Sequence, residues 1–213
     1  ATDSIPLSTW HNRPWATPII YDSLHRRITY VKLAPFGGRQ NIILQIKADS
    51  TALAGWVDTT ILRGVSTNIP TVRDSSIVMT TVIPVANIIV DPDRQGFISR
   101  RDSIWFNHYV ENRGNNRDSI LLSTFGTRPV WRAQIWDSAR AAIINHVILN
   151  PSQRRQVWVK IKPDTLAQYR NADTTYLLGR STVGTARDSA QDITEITLDA
   201  AIIVDPDQTT SIT

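Results

Sequence analysis

The feature that most constrains the fold is an internal repeat with a period of about 115 residues. Residues 39–93 run parallel to residues 155–207, at offsets of 116 to 114. Both copies close on the same hexapeptide, Ile-Ile-Val-Asp-Pro-Asp, at 88–93 and 202–207. A period this long corresponds to a whole domain and not to the small unit of a solenoid. The repeat therefore predicts two tandem domains, over residues 1–90 and 91–213.

Within each copy, apolar and polar residues alternate as they do in half-buried β-strands. The alternation runs through residues 157–162 and 42–46, and it recurs at 104–110 and in a closing strand at 196–202. Ile is the commonest residue and Glu occurs only twice, which is a composition of strand formers. Short alternating runs separated by polar turns are typical of β-sandwiches. We expect an all-β fold of two tandem antiparallel β-sandwiches.

The register of the repeat leaves the first domain short of a strand. By the offset, Ala1 corresponds to Asn116 and Thr213 to Ser99, so residues 100–115 have no counterpart. An unfilled slot exposes backbone edges and apolar side chains, and it invites another strand. Two explanations stay open: the chain is a piece of a longer polypeptide, or a neighbouring copy supplies the strand. In the second case the donor is the tail, with Val204 and Ile212 as its assembly residues.

Three segments of the chain carry a family resemblance. Residues 90–93, 103–115 and 118–123 contain a strand, a Val-x-Asn-x-Gly-Asn turn, an Asp and a second strand. This order resembles bacterial and archaeal extracellular immunoglobulin-like repeat modules, and it covers the second domain fully and the first from its third strand. The resemblance implies immunoglobulin-like β-sandwiches, the first lacking a strand. It says little about function, because such modules serve as spacers, adhesins and filament subunits.

A second pattern places Asp before Ser or Thr and then a small or aliphatic residue. It occurs ten times, whereas a shuffled chain of this composition gives roughly one or two copies. The pattern resembles the O-glycosylation sequon of the phylum Bacteroidota, in which the hydroxyl carries the glycan, and it implies a secreted glycoprotein. Asp-Ser and Asp-Thr are also ordinary turn chemistry, so that alternative stays open. The candidate O-glycosylated residues are Ser4, Ser23, Ser50, Thr59, Ser103, Ser119, Ser138, Thr165, Thr174 and Ser189.

Composition excludes several classes of function. The absence of Cys excludes disulfides and thiolate metal sites. The Arg residues are scattered, often beside Asp, and form no basic run of the kind that nucleic-acid binding requires. No apolar stretch approaches the length of a membrane span. No nucleophile elbow, phosphate loop or metal-ligand spacing occurs, so we expect no catalytic residues, no metal site and no cofactor apart from covalent glycans.

Two Asp-Pro-Asp motifs at the domain ends are the nearest approach to a cation site. Asp91 with Asp93, and Asp205 with Asp207, could each place two carboxylates together. Calcium takes about six to eight oxygen ligands. A rigid proline turn explains the same residues, and both interpretations stay open.

Tryptophan is the remaining candidate binding residue. Trp105 and Trp158 fall on the less apolar faces of their strands. Indoles on such faces can stack on sugar rings, or pack against the core, a neighbouring subunit or the protein's own glycan. His108 lies in mid-strand on the apolar face, where we expect a core residue.

These observations favour a non-enzymatic structural protein, located outside the cell or on its surface. The leading hypothesis is the subunit of an O-glycosylated fibre whose copies join head to tail by strand complementation, with other copies of the chain and covalent glycans as its partners. The alternative is a tandem spacer, adhesin or carbohydrate-binding module excised from a larger secreted protein.

Overall fold

A computed structural model describes residues 2–198, which form fifteen β-strands and no helix. The all-β prediction is confirmed. The chain divides into two compact units, residues 1–85 and 86–213. The division lies at residue 85, before the boundary of 90 expected from the sequence, because residues 88–91 are hydrogen-bonded to a strand of the second unit.

The first unit contains two antiparallel sheets. A four-stranded sheet has the order β3-β1-β5-β6, and a two-stranded sheet pairs β2 with β4. The strands are β1 (Asp3–His11), β2 (Ala16–Asp22), β3 (Tyr30–Leu33), β4 (Ile42–Lys47), β5 (Val57–Val65) and β6 (Arg73–Thr81).

The second unit is a complete sandwich. Its sheets have the orders β12-β10-β14-β15-β8 and β11-β13-β9-β7. The strands are β7 (Ile88–Asp91), β8 (Arg94–Ile98), β9 (Ile104–Asn112), β10 (Asp118–Gly126), β11 (Arg132–Trp136), β12 (His146–Leu149), β13 (Arg154–Lys162), β14 (Ala172–Arg180) and β15 (Arg187–Ile196).

The second unit begins with a segment that serves both of its sheets. β7 pairs antiparallel with β9, and after the turn at Pro92 and Asp93 β8 pairs with β15 in the other sheet. The β8–β15 pair is parallel, which departs from the purely antiparallel sandwich expected from the sequence. Alternation of side chains predicts which face a residue occupies, but it carries no information about the direction of the neighbouring strand.

The repeat is visible in the topology. Strands β1 to β6 correspond in order to β10 to β15, with matching pairings. Among residues 2–85 no strand corresponds to β7, β8 or β9. The first unit therefore lacks the strand predicted to be missing and also the two short strands that precede it in the repeat.

The interiors of the two units differ accordingly. Among residues 2–198, four apolar side chains are buried in the first unit and eighteen in the second. Val157, Val159 and Ile161 of β13 are fully buried against the facing sheet. The closing strand ends at Ile196, which is buried, whereas Leu198 is exposed. The predicted continuation of that strand to residue 202 lies outside the described residues.

Candidate assembly and glycosylation sites

In all ten Asp-Ser/Thr tripeptides the hydroxyl residue is at least partly exposed to solvent. None of the ten hydroxyl residues is buried. Half of them are exposed, namely Ser23, Ser50, Ser138, Thr165 and Ser189, and half are partly exposed, namely Ser4, Thr59, Ser103, Ser119 and Thr174. Where the tripeptide lies in a strand, the preceding Asp points the other way, because successive side chains point to opposite faces.

The inward Asp residues hold the strands in place. Asp173 is buried, and its carboxylate accepts hydrogen bonds from Thr175 Oγ1 at 2.6 Å and from the Arg128 backbone N–H at 2.7 Å. Asp58, its counterpart in the first unit, accepts from Thr60 Oγ1 at 2.6 Å and from the Arg13 N–H at 3.3 Å. The hydroxyl residues beside these Asp residues, Thr174 and Thr59, are partly exposed.

A second pair of Asp residues, at the first positions of β10 and β1, also links segments through hydrogen bonds. Asp118 accepts hydrogen bonds from the hydroxyls of Ser181 and Thr182, and Asp3 accepts from the hydroxyls of Ser66 and Thr67. Hydrogen bonding by Ser66 lowers the pKa of the Asp3 carboxyl, although partial burial opposes the shift. Asp3 thus joins β1 to the residues that follow β5, and Asp118 joins β10 to the residues that follow β14.

Two other tripeptides occupy tight loops. Asp22 Oδ1 accepts hydrogen bonds from the backbone N–H groups of Leu24 and Arg26, both at 2.9 Å, and the pKa of Asp22 is lowered mainly by the Arg26 N–H and then by its guanidinium. Asp137 repeats the motif with the Ala141 N–H at 2.7 Å. The Asp of the tripeptide thus performs turn chemistry while its neighbouring hydroxyl, Ser23 or Ser138, remains exposed.

Within the described residues, two sheet edges of the first unit are open although their equivalents in the second unit are paired. In the second unit, β13 lies between β11 and β9, and β15 lies between β14 and β8. In the first unit, β4 pairs only with β2 and β6 only with β5, as far as residues 2–85 are concerned. Unpaired strand edges offer free ladder positions to another chain.

Apolar side chains of the first unit are less buried where the neighbouring strands are missing. Ile42, Leu44 and Ile46 of β4 are half-buried, although their counterparts in β13 are fully buried. On β6, Ile77 and Met79 are exposed by 64% and 71%. The expected strand-shaped gap is therefore present in the first unit as described.

A cavity of about 360 Å³ opens on the inner face of the first unit's larger sheet. Its floor consists of Ile5, Leu7, Leu62 and Gly64, and Asp74 lies at its rim. The corresponding apolar residues of the second unit are buried, since Ile120, Leu122 and Leu177 are at most 5% exposed. The cavity occupies the position where a closed unit has core.

The two carboxylates of the first Asp-Pro-Asp motif have partners within the protein. Asp91 Oδ1 lies 2.8 Å from Arg154 Nη2, and Asp93 Oδ1 accepts the Gln191 N–H at 2.8 Å. No group of three or more His, Asp or Glu residues that could hold a metal ion occurs within residues 2–198. Asp205 and Asp207, like the assembly residues Val204 and Ile212, lie outside the described residues.

His108 is fully buried, in the core position expected for it. Its Nε2 lies 3.0 Å from Oδ2 of Asp192, which is also fully buried. Burial raises the pKa of the Asp192 carboxyl, and the hydrogen bond from His108 opposes that shift. Asp192 was not predicted from the sequence as a core residue, although it lies on the same face of β15 as the buried Ala190, Thr194 and Ile196.

The outer face of β13 and β9 carries a stack of aromatic and cationic side chains. The Arg140 guanidinium carbon lies 3.6 Å from the Trp158 ring centroid and 5.0 Å from that of Trp105. Lys160 Nζ lies 5.1 Å from the Trp105 centroid, and Trp136 packs edge-to-face against Trp105 at 5.6 Å. Trp105 and Trp158 therefore lie outside the core, and cations of the same unit cover part of their ring surface.

Within residues 2–198 no helix has the length and apolar character that a membrane-spanning helix needs.

Comparisons with known proteins assign the chain to no family. No family model matches the sequence, and no curated protein matches it. Among solved structures, the PapD-like domain 7 of human CEP192 aligns at a TM-score of 0.37 with 8% identity, covering 54% of this chain and 87% of that one. Domains 4 and 5 of the S-layer protein SbsC align at 0.34 with 10% identity, covering 91% and 98%. The secreted serine protease VesC of Vibrio cholerae aligns at 0.36 with 19% identity, and the match spans only 24% of its length. Scores below 0.5 carry no argument about function, so the immunoglobulin-like β-sandwich character of the chain is established by its own strand topology.

Proposed function

We propose that this chain is the structural subunit of an extracellular fibre, O-glycosylated at its Asp-Ser/Thr tripeptides and assembled head to tail by strand complementation. The role is mechanical and not catalytic, and it requires no cofactor other than covalent glycans. The observation that carries the proposal is the contrast between a closed unit and an open unit built from the same repeat.

The open unit supplies one half of a polymer contact. Its free edges at β4 and β6 and its apolar cavity are complementary to an added strand, as in other cases of strand addition. A contact between two different surfaces of one chain repeats without closing when the rotation between copies does not form a ring. Such a contact generates a fibre.

The energy available is sufficient for a stable contact. Full burial of one aliphatic side chain stabilises by about 1.5–3 kcal/mol. A donor strand that buries three such side chains therefore contributes roughly 5–9 kcal/mol before the cost of ordering it. Added backbone hydrogen bonds contribute about 1 kcal/mol each. Disulfides are not needed, which agrees with a chain that contains no Cys.

The glycan part of the proposal is supported by exposure. A transferase needs an accessible hydroxyl, and none of the ten candidate hydroxyl residues is buried. Sugars at these positions would hinder lateral pairing of sheet edges.

The assembly test is removal of residues 204–213. Electron microscopy and light scattering of the purified chain should show fibres for the full sequence and monomers for the truncated one. Leu166→Ser, at an exposed position of the second unit, is the matched control and should polymerise normally. Truncated chains that still form fibres of normal length would show that strand complementation by the tail is wrong.

The glycan test is peptide mapping of native material by mass spectrometry. We expect hexose-containing modifications on several of the ten hydroxyl residues and none on Ser75, which is also exposed and follows Asp but lacks a permissive third residue. Native protein without modification at any of the ten positions would leave the tripeptides as turn chemistry alone.

The alternative function is a spacer, adhesin or carbohydrate-binding module of a larger secreted protein. The stack of Trp105, Trp136 and Trp158 on the outer face of the second unit favours a sugar-binding version of it. Glycan-array binding that is lost in Trp158→Ala, with purified chains remaining monomeric, would favour this alternative over the fibre.

A further inference from the structure

The hexapeptide that ends each repeat has a known structural role in one of its two copies. At residues 88–93 it forms β7 and the turn that follows, and the side chains of Ile88 and Val90 point inward and are 4% and 3% exposed. Ile89, between them, is half-buried on the other face. The second copy, residues 202–207, is identical in sequence.

In the second unit these two side chains pack directly on a glycine. A Cβ added at Gly179 would lie 2.7 Å from Val90 Cγ2 and 3.5 Å from Ile88 Cδ1. No larger residue fits there while β7 is present. Gly179 thus provides the space into which Ile88 and Val90 pack.

The first unit has the same glycine without the strand. Gly64 corresponds to Gly179, and a Cβ added there would meet only Ile5 Cγ2 at 2.9 Å and Leu7 Cδ2 at 3.6 Å, both on the same sheet. The cavity of about 360 Å³ lies over Gly64. For scale, a cavity of about 150 Å³ lined by aliphatic and aromatic side chains holds a benzene molecule. The space therefore suffices for two branched aliphatic side chains.

The residues that hydrogen-bond the hexapeptide segment in the second unit also have counterparts in the first unit and the tail. In the second unit, the Val90 N–H donates to Asp188 Oδ2 at 2.8 Å, and the Gln191 N–H donates to Asp93 Oδ1 at 2.8 Å. The residue corresponding to Asp188 in the first unit is Asp74, at the rim of the cavity. On the donor side, Asp207 corresponds to Asp93.

The residues that follow the second hexapeptide also fit better on a unit that has no strand equivalent to β9. In β8, a Cβ on Gly96 would collide with Ile104 and Phe106 of β9, so glycine is required there. The corresponding tail residue is Thr210. Threonine has room at this place only where no β9 presses on it, and the described part of the first unit has no such strand.

We propose that residues 202–212 of a second copy add to the first unit in the register that β7 and β8 hold in the second unit, with Ile202 and Val204 seated over Gly64 and residues 208–212 parallel to β6. The inference rests on the proposed fibre function and specifies its contact. The occupant is a second copy of this chain, because the tail carries the same hexapeptide that fills this site in the closed unit.

Engineered cysteines test the register, since the chain has no Cys of its own. One chain carries Gly64→Cys and a differently tagged chain carries Val204→Cys, and the mixture is oxidised with diamide. Disulfides need Cβ atoms about 3.5–4.5 Å apart. In the second unit, a Cβ added at Gly179 would lie 2.7 Å from Val90 Cγ2, which is one bond from the Val90 Cβ. We expect a disulfide-linked heterodimer from this pair. In the proposed register residue 203 would face away from the cavity, so Ile203→Cys is the matched control and should give at least tenfold less heterodimer.

The outcomes separate the register from the fibre. Fibres without the 64–204 cross-link, or with equal cross-linking from residue 203, would overturn the register and leave the fibre intact. Monomers in every sample would refute the proposed function itself. If a single chain engineered with both cysteines forms the disulfide only within itself, the tail folds back on its own chain and the second copy is not the occupant.

A second pair of variants leaves the acceptor unaltered, in case Gly64→Cys disturbs it. Val204→Asp places a charge in the apolar cavity and should abolish fibres. Ile203→Asp, one residue away on the opposite face, should reduce fibre length by less than half. Equal effects of the two substitutions would contradict the inferred register.

Discussion

The two units of this chain share six corresponding strands, yet only the second unit has a closed interior. Val157, Val159 and Ile161 are fully buried in the second unit, while Ile42, Leu44 and Ile46 are half-buried at the corresponding places in the first. The hydrogen-bond networks of Asp58 and Asp173 are nevertheless alike in both. Local sequence thus determines strands and turn networks in both units, and burial depends on whether the strands equivalent to β7, β8 and β9 are present.

The largest expected difference between the units is in the cost of truncating an equivalent isoleucine. Ile161→Ala removes a fully buried side chain and should lower the free energy of unfolding of the second unit by about 2–5 kcal/mol. Ile46→Ala, at the half-buried equivalent in monomeric chain, should cost about 1 kcal/mol or less. Residue-resolved hydrogen exchange under increasing urea measures each unit separately. Equal costs would mean that the first unit is already closed.

The carboxylate networks should show the opposite result, a similar cost in both units. Asp173→Ala and Asp58→Ala each leave buried donors without a partner, at about 1–3 kcal/mol for each donor. We expect a loss of roughly 3 kcal/mol in either unit, measured by the same exchange experiment. A loss confined to Asp173→Ala would show that the network matters only inside a closed sandwich.

The outer faces of the units should differ by a smaller amount. Arg140 and His25 occupy equivalent left-handed loop positions, with φ of 56° and 58°. Arg140 lies against Trp158, whereas Ile43 stands at the corresponding place in the first unit. Arg140 is exposed, so Arg140→Ala should destabilise by about 0.5–1 kcal/mol through loss of cation–π contact. His25→Ala should be neutral within about 0.5 kcal/mol. Thermal unfolding curves of the two variants provide the measurement.

The smallest expected difference between the units is in how their stability changes with pH. Burial raises the folded-state pKa of Asp192 above 3.8, so the folded second unit binds this proton more tightly than the unfolded chain does. That contribution is fully present below pH 3.8 and is lost as the pH rises through the folded pKa. Asp3 and Asp22 of the first unit have lowered pKa values, so their contribution is present above pH 3.8 and is lost as the pH falls through their folded pKa values.

Asp192→Asn provides the control for this pH dependence. It should flatten the pH dependence of hydrogen exchange in the second unit and leave that of the first unit unchanged. A slope that persists in the variant would assign the proton to another group.

What could be predicted from the sequence was mostly local. The alternation at 42–46 and 157–161 gave the correct strands, and the repeat register located the gap in the first unit. The parallel pairing of β8 with β15 was not predicted, because residue alternation does not encode strand direction. The Arg140–Trp158 contact was not predicted either, because it depends on how the loop that contains Arg140 lies over β13 in the folded unit. Whether the ten hydroxyls carry sugars remains a prediction.

The parallel pairing of β8 with β15 has a consequence for load. β8 lies near the start of the second unit and β15 at the end of its described strands, and the two run in the same direction, from Arg94 beside Asp192 to Ile98 beside Ile196. Tension applied between the ends of the unit therefore pulls these strands in opposite directions along their length. The backbone hydrogen bonds between them are strained together in shear and do not open one after another as in a zipper. A unit of this geometry resists stretching along the chain more strongly than peeling from the side.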